Sequence, residues 1–348
     1  KVKDSANVVL NVKTSIHGPI ISEVLIGTKQ PKPIAMSWIY TQEKIEILQA
    51  VYGLSHAKNL EDFHAKIELI HAPGLNIMYG DAEDNIAWIT SGKLYKLDKS
   101  INPNFILNGS NGIDDKKEFL PFSENPYSIN PPWNYVYSSN NQTAPINGYL
   151  YPGYYLPKDR AMRIDTLLSV KNDWTQKDVE KMINDNTSAT GSATVSNWIN
   201  ALDLNQLSTT DKNAIAKLKK WDGSNNLNDI APTIYNKWIY FYLKNTFEDE
   251  LGTEKFNLFL GTHIMKQVIT AQSQNEQSIW WDNVTTKDKK ETRSHIITLS
   301  FKETISNLES HFGTDVNAWT WRKAHILEHN HPMGKVKLLN GFFKWSDS

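Results

Sequence analysis

An α+β fold is predicted for this chain, with strands concentrated early and helices late. Short β-branched runs bounded by turn residues fill its first third. From Pro157 onward, apolar residues recur instead at the 3.6-residue spacing of helices. Composition is the third observation: 40% apolar and 11% aromatic residues can build a sizeable core and exclude global disorder.

Taken in order, Val8 to Thr14 is a β-branched run ending near the turn His17-Gly18-Pro19, which predicts a strand. Ile20 to Ile26 is a second strand candidate, closed by Gly27. Thr41 to Val51 carries apolar residues at helical spacing behind a Thr cap. Leu60 to Ile67 continues that character, with Glu61 and Asp62 in its first turn. Asn76 to Tyr79 and Ile86 to Thr90 alternate around the turn Gly80 to Asn85, a hairpin signature. Asn102 to Leu156 is too long for an ordinary connection and too aromatic for a disordered linker, so an ordered, packed loop region is expected.

Helical periodicity then covers Asp159 to Val170, Thr175 to Asn184, Ser192 to Leu202, Thr209 to Trp221, Ala231 to Phe247 and Ser300 to Phe312. Thr175 with Asp178 reads as a capping box with Asp in place of Glu. Lys287 to Thr292 is charged and expected to be exposed. The organisation expected is a β-rich part with ordered loops at 1–156, a mainly helical region at 157–290, and a return to the core at 291–348 with a truncated tail.

The 348 residues suffice for one large domain or two to three ordinary ones. Thirty-seven Lys+Arg balance 38 Asp+Glu, and no run of five basic residues occurs, so a nucleic-acid partner is not expected. No apolar stretch approaches the roughly 18 residues of a membrane span, and Lys1 to Ser5 holds no signal-peptide h-region. Without cysteine there are no disulfides, thiol nucleophiles or Cys-ligated zinc.

His325, His329 and His331 would share a helix face and resemble a metal cluster, but no convincing carboxylate partner accompanies them and Pro332 would end the helix. Surface or structural histidines are the more ordinary reading, as for His56, His64 and His71. Asp114-Asp115, and Asp81 with Asp84, read as turn formers rather than acid/base pairs. No G-x-S-x-G elbow, phosphate-binding Gly-rich loop or H-E-x-x-H helix is present. Generic motifs alone leave the function open.

Longer strings narrow it. Thr14 to Ile21 (TSIHGPII) resembles the T-x-x-H-G-P-[VI] stretch of the penicillin acylase family of N-terminal nucleophile hydrolases. Ala72 to Leu94 is similar to that family's P-x-N-x-x-Y-A-D-x-x-G-N-I hairpin, and Leu120 to Gln142 to its L-P-F…N-P…N-N segment. Tyr154 to Ile164 resembles its R-A-x-R-I turn into a helix, Leu218 to Gly223 its L-x-x-W-D-G, and Ala318 to Val336 its W-x-W…H-P-L-G tail. Each string is short, yet all six fall in the family's order.

The resemblance implies a four-layer αββα core with a helical region at its side, and hydrolysis of a non-peptide amide such as a β-lactam side chain or an N-acyl amino compound. It implies two site residues. Asn140, first of the N-N pair, would donate its side-chain amide to the oxyanion; the alternative is a turn-capping role. Arg160 would orient the site near the nucleophile's amine; the alternative is a salt bridge with Asp159 or another surface carboxylate. His17 is read as structural.

The family's nucleophile is an N-terminal Ser, Thr or Cys whose own α-amine, with an ordinary pKa of about 7.7–8.0, serves as base. Lys1 cannot play that part, and Ser5 and Ser15 have no free amine. The chain is therefore expected to be an internal portion of an acylase β chain, inactive alone, partnered by an α chain and the N-terminal part of the β chain. Exposed sheet edges and apolar patches are expected to follow. A small-molecule amide substrate, a periplasmic or extracellular location and no cofactor follow from the resemblance. It allows a structural calcium, without assignable ligands. Two alternatives belong to other classes: an inactive fragment or binding module for an apolar ligand, and a zinc protein built on the three histidines.

Overall fold

The computed structural model describes all residues except 1, 2, 8, 10, 26–31, 97, 99, 117, 144–152 and 348. They form two compact units, Lys1–Tyr155 and Leu156–Ser348.

The first unit holds the strands and short helices. β1 (Thr14–Ser15) turns at once into β2 (Gly18–Pro19). α1 (Ile39–Gln42), α2 (Ile47–Ser55) and α3 (Leu60–Ile67) follow. Asn59 caps α3 by accepting the Asp62 N–H at 2.8 Å. β3 (Asn76–Gly80) and β4 (Ile86–Thr90) form the expected antiparallel hairpin, with Asn76 opposite Thr90 and Gly80 opposite Ile86. β5 (Tyr95–Lys96) pairs with β6 (Glu118–Phe119), and β7 (Tyr127–Ile129) adds to the free edge of β4.

The strand period of two decides the packing here. Ala87 and Ile89 of β4 point to one face and are buried against Ile67 of α3, with Leu54, Phe63, Ile77, Tyr79 and Phe122 around them. The hairpin turn is tied by Asp81, which accepts the Tyr79 hydroxyl, the Glu83 and Asn85 N–H groups and the Asn85 side-chain amide, each at 2.9 Å. Asn130 locks β7 to the hairpin by accepting the Ile86 N–H and donating to Asn85 Oδ1.

Three expectations change in this unit. The strand expected from Val8 shrinks to Thr14–Ser15, and Val9 and Val12 are exposed, with no strand paired to them among the described residues; Val8 and Leu10 lie outside the described residues. Ile20 makes only a single bridge to Ala35, a turn at Ser22–Val24 follows, and Ile26 lies outside the described residues. The helix expected at Thr41 to Val51 is two helices, broken at residues 43–46.

The second unit is helical: α4 (Asp159–Leu168), α5 (Gln176–Ile183), α6 (Gly191–Ala201), α7 (Thr209–Leu218), α8 (Ala231–Leu260), α9 (Ile264–Gln274), α10 (Arg293–Phe312) and α11 (Trp321–Ala324). β8 (Leu327–Asn330), α12 (Asn340–Phe343) and β9 (Lys344–Asp347) complete it, with β8 and β9 antiparallel. The Thr175–Asp178 capping box is formed with both of its bonds, and Ser208 with Asp211 makes another on α7.

α8 and α10 form the spine of the core. Ring centroids of Trp198 and Tyr242 lie 4.6 Å apart, those of Trp198 and Trp238 4.9 Å, and those of Trp238 and Phe301 4.6 Å. Ser300, fully buried, lets the two helices approach: its hydroxyl contacts the Ile296 carbonyl of its own helix and Phe241 O of α8. α10 begins at Arg293, about two turns before the expected Ser300, where Thr292 caps it by accepting the His295 N–H at 3.3 Å; the Arg293 guanidinium ties that end to Ser273 O and Asn197 Oδ1, each at 2.6 Å. Among the described residues, no helix is long and apolar enough to cross a membrane.

Candidate active site

Asn140 lies in the turn Ser138–Asn141, in the loop region after β7. Its φ is +61°, the left-handed conformation that Asn adopts more readily than most residues. Neighbours hold that turn. The Asn140 N–H donates to Ser138 Oγ at 3.3 Å, and the Ser139 hydroxyl donates to Asn141 Oδ1 at 3.0 Å. Ser139 is buried while Asn140 is exposed. The Asn140 side-chain amide makes no hydrogen bond to any described residue. The turn-forming side chain is thus the second Asn, and the first keeps its donors uncommitted.

Arg160 is the second residue of α4, in the second unit, and is exposed. The salt bridge with Asp159 is not formed. Asp159 instead accepts the Ser188 hydroxyl at 3.0 Å and both the N–H and hydroxyl of Thr190 at 2.8 Å, fixing the start of α4. Arg163, a turn later, forms a two-pronged pair with Asp185. The Arg160 side chain has no ion pair or hydrogen bond to a described residue. Asn140 and Arg160 belong to different units, and the geometry of each is that of its own unit.

The W-D-G string secures the same loop. Gly223 has φ +101° and passes so close to the Ser188 carbonyl that a Cβ would stand 2.3 Å from it, while the Ser188 N–H donates to Gly223 O at 2.9 Å. Trp221 packs over Gly191 at the start of α6. The strings around Arg160 are therefore mutually bonded. Those bonds fix the helix end on which Arg160 sits.

The H-G-P string is a structural corner. His17 Nε2 meets the Gly109 carbonyl at 2.9 Å, and Nδ1 faces Asp115 at 3.6 Å. Gly18 takes φ +123°, where a Cβ would meet Met36 O at 2.3 Å.

The helix face expected for His325, His329 and His331 is not formed. α11 ends at Ala324, and Leu327–Asn330 is a strand, whose period of two does not align positions as a helix does. Among the described residues no three His, Asp or Glu side chains are grouped to hold a metal ion, so no step is assigned to calcium or zinc. Chemically, Asn140 offers an amide donor and Arg160 a fixed positive charge; neither attacks a carbonyl.

A family model for penicillin amidase matches residues 1–347. The chain belongs to the penicillin amidase family. Similar members include the acyl-homoserine lactone acylase QuiP of Pseudomonas aeruginosa, 25% identical over 345 residues, covering 90% of this chain and 39% of that protein. The Pseudomonas fluorescens (strain Pf0-1) protein of the same name is 26% identical over 310 residues, covering 83% of this chain and 37% of that protein. The chain thus spans well under half the length of these relatives. A thermostable penicillin G acylase from Alcaligenes faecalis superposes with a TM-score of 0.67 at 16% identity, over 99% of this chain and 66% of that one. The fold is that of the penicillin acylases, the N-terminal nucleophile hydrolase architecture within the α+β class.

The residues that sequence reading passed over are Ser139 and Asn141, and the Asp185 partner of Arg163. An S-S-N-N run is a recognisable source of side-chain-bonded turns; for Asp185 no local signal exists.

Proposed function

We propose that this chain is part of an amidohydrolase that cleaves the amide between an acyl group and a small amine. The observation that carries the reading is Asn140. The family resemblance gives it the part of oxyanion donor, and its side-chain amide bonds to no described residue while Asn141 makes the turn. An amide N–H aimed at the developing oxyanion stabilises the tetrahedral intermediate. Arg160, on a fixed helix end and without an ion-pair partner among the described residues, orients the nucleophile's amine. The attacking group is an N-terminal Ser, Thr or Cys from outside these 348 residues: its oxygen or sulfur takes the acyl carbon, the amine leaves with a proton, and water then releases the acid.

The relatives' names make N-acyl-homoserine lactones the first substrates to try, with the side-chain amide of penicillin G as the second. An α chain and the N-terminal part of the β chain complete the enzyme, which acts in the periplasm or outside the cell. A binding-module reading is favoured by one observation, the half-exposed rings of Trp133 and Tyr127 beside the loop region.

The test incubates the complete protein with acyl-homoserine lactones of several chain lengths and with penicillin G, and detects the freed amine by mass spectrometry. Amine release supports the hydrolase. Ligand binding without release supports the binding module, and neither result overturns both.

A further inference from the structure

We infer that the Ser139–Asn141 pair is a positioning device for Asn140, setting the direction in which its amide points. The inference rests on the reading of Asn140 as oxyanion donor and goes beyond it by naming two residues that never touch substrate.

Three observations carry it. Asn140 sits at φ +61°, a conformation that a lone exposed residue would leave readily. Among the described residues its own side chain makes no hydrogen bond, while its backbone N–H donates to Ser138 Oγ, so the restraint seen comes from its neighbours. Ser139, on its N-terminal side, is buried at 1% exposure and donates its hydroxyl to Asn141 Oδ1 across the Asn140 backbone, at 3.0 Å. Asn141 Nδ2 donates onward to the Gln142 carbonyl at 3.3 Å. The two flanking residues thus close a small ring around the residue between them, with the buried Ser139 as its anchor.

An oxyanion donor works only when preorganised, because its worth depends on its direction at the moment charge develops. A turn that let Asn140 swing would keep the donor but lose its aim. The ground-state carbonyl asks little of that aim, so the device acts on kcat and leaves KM nearly unchanged.

The experiment uses the complete active enzyme with an acyl amide that it turns over. Ser139→Ala and Asn141→Ala are each expected to lower kcat roughly 10-fold, with KM within about two-fold, as for a donor displaced by a fraction of an ångström. Asn141→Ser, which keeps a neutral acceptor, should recover kcat to within about three-fold of the parent. In an Asn140→Gly background, adding Ser139→Ala or Asn141→Ala should cost nothing further, since no donor remains to aim. Thermal melts accompany every variant. Equal losses with and without Asn140 would overturn the device and make the pair merely structural. Unchanged kcat in both single variants would overturn it too, while a large loss for Asn140→Gly alone would leave the donor assignment standing. An unaffected Asn140→Gly would sink that assignment and the device with it.

Discussion

Arg163 grips Asp185 with two parallel hydrogen bonds, Nε at 2.9 Å and Nη2 at 2.5 Å. The Arg163 guanidinium holds the Asp185 carboxyl below the usual carboxylate range, and the Thr187 N–H adds to it. The guanidinium of Arg160, on the same helix and from the same R-A-x-R string, bonds to no described residue. One arginine braces its own helix, and its neighbour's guanidinium has no partner among the described residues.

Substituting them should separate those roles. Arg163→Ala is expected to destabilise the second unit by roughly 1–3 kcal/mol, because it strips a charge-assisted pair from a half-buried carboxylate. Arg160→Ala should leave the melting temperature nearly unchanged while lowering turnover of the complete enzyme. Paired thermal melts and kinetics check both; equal destabilisation would show Arg160 to be structural.

For the oxyanion donor, Asn140→Ala and Asn140→Gly should each lower kcat about 100- to 1000-fold, or roughly 2.7–4 kcal/mol of transition-state stabilisation. The Gly variant tolerates the left-handed turn and so removes backbone strain from the comparison. Asn141→Ala should cost far less, and KM should move little in any of them. Steady-state kinetics on the complete enzyme read the difference.

Acid stability has a marked contributor in Glu291. Burial opposes its charge, but the Asn283 N–H, the Lys289 ammonium and the Thr286 hydroxyl outweigh that and hold it at about 2. A carboxylate depressed in the folded state adds stability above its ordinary value near 4.5, which is lost as pH falls towards 2. Glu291→Gln should therefore lower the melting temperature at pH 7 and flatten its decline in acid. An unchanged acid limb would count against this.

Gly223→Ala should be costly for two separate reasons. Its φ of +101° strains any side chain, and the new Cβ would strike the Ser188 carbonyl at 2.3 Å. A loss of at least about 1–3 kcal/mol is expected from the strain alone. Denaturant titration followed by far-ultraviolet circular dichroism measures it.

How far these elements could be read in advance depended on where their determinants lay. The hairpin of β3 and β4 was legible because alternation and turn residues are both local, and α5 because Thr175 and Asp178 are three residues apart. α9 falls inside the region expected to be mainly helical, but its bounds are not marked locally: Met265, Val268 and Ile269 give it an apolar stripe, while its N-cap, His263, makes no side-chain cap bond. By its charge, the stretch from Lys287 to Thr292 is predicted to be exposed. Its lysines are exposed, but Glu291 is buried, because its partners come from the preceding turn and the backbone of Asn283. For the proposed site, the strings point to Asn140 and Arg160, whereas the bond from Ser139 to Asn141 and those from Ser188 and Thr190 to Asp159 depend on how the chain folds back and carry no string of their own.

The aromatic spine of the second unit has a spectroscopic consequence. Trp38, Trp88 and Trp133 are the indoles of the first unit, and Trp38 and Trp133 are 47% and 54% exposed to water. Trp198, Trp238 and Trp319 are fully enclosed in the second. Indoles in hydrocarbon emit to the blue of those in water, so the blue edge of the fluorescence spectrum belongs to the second unit and the red edge owes most to the first. A melt recorded at one wavelength would follow chiefly one unit, whereas the ratio of the two edges would show the order in which they come apart.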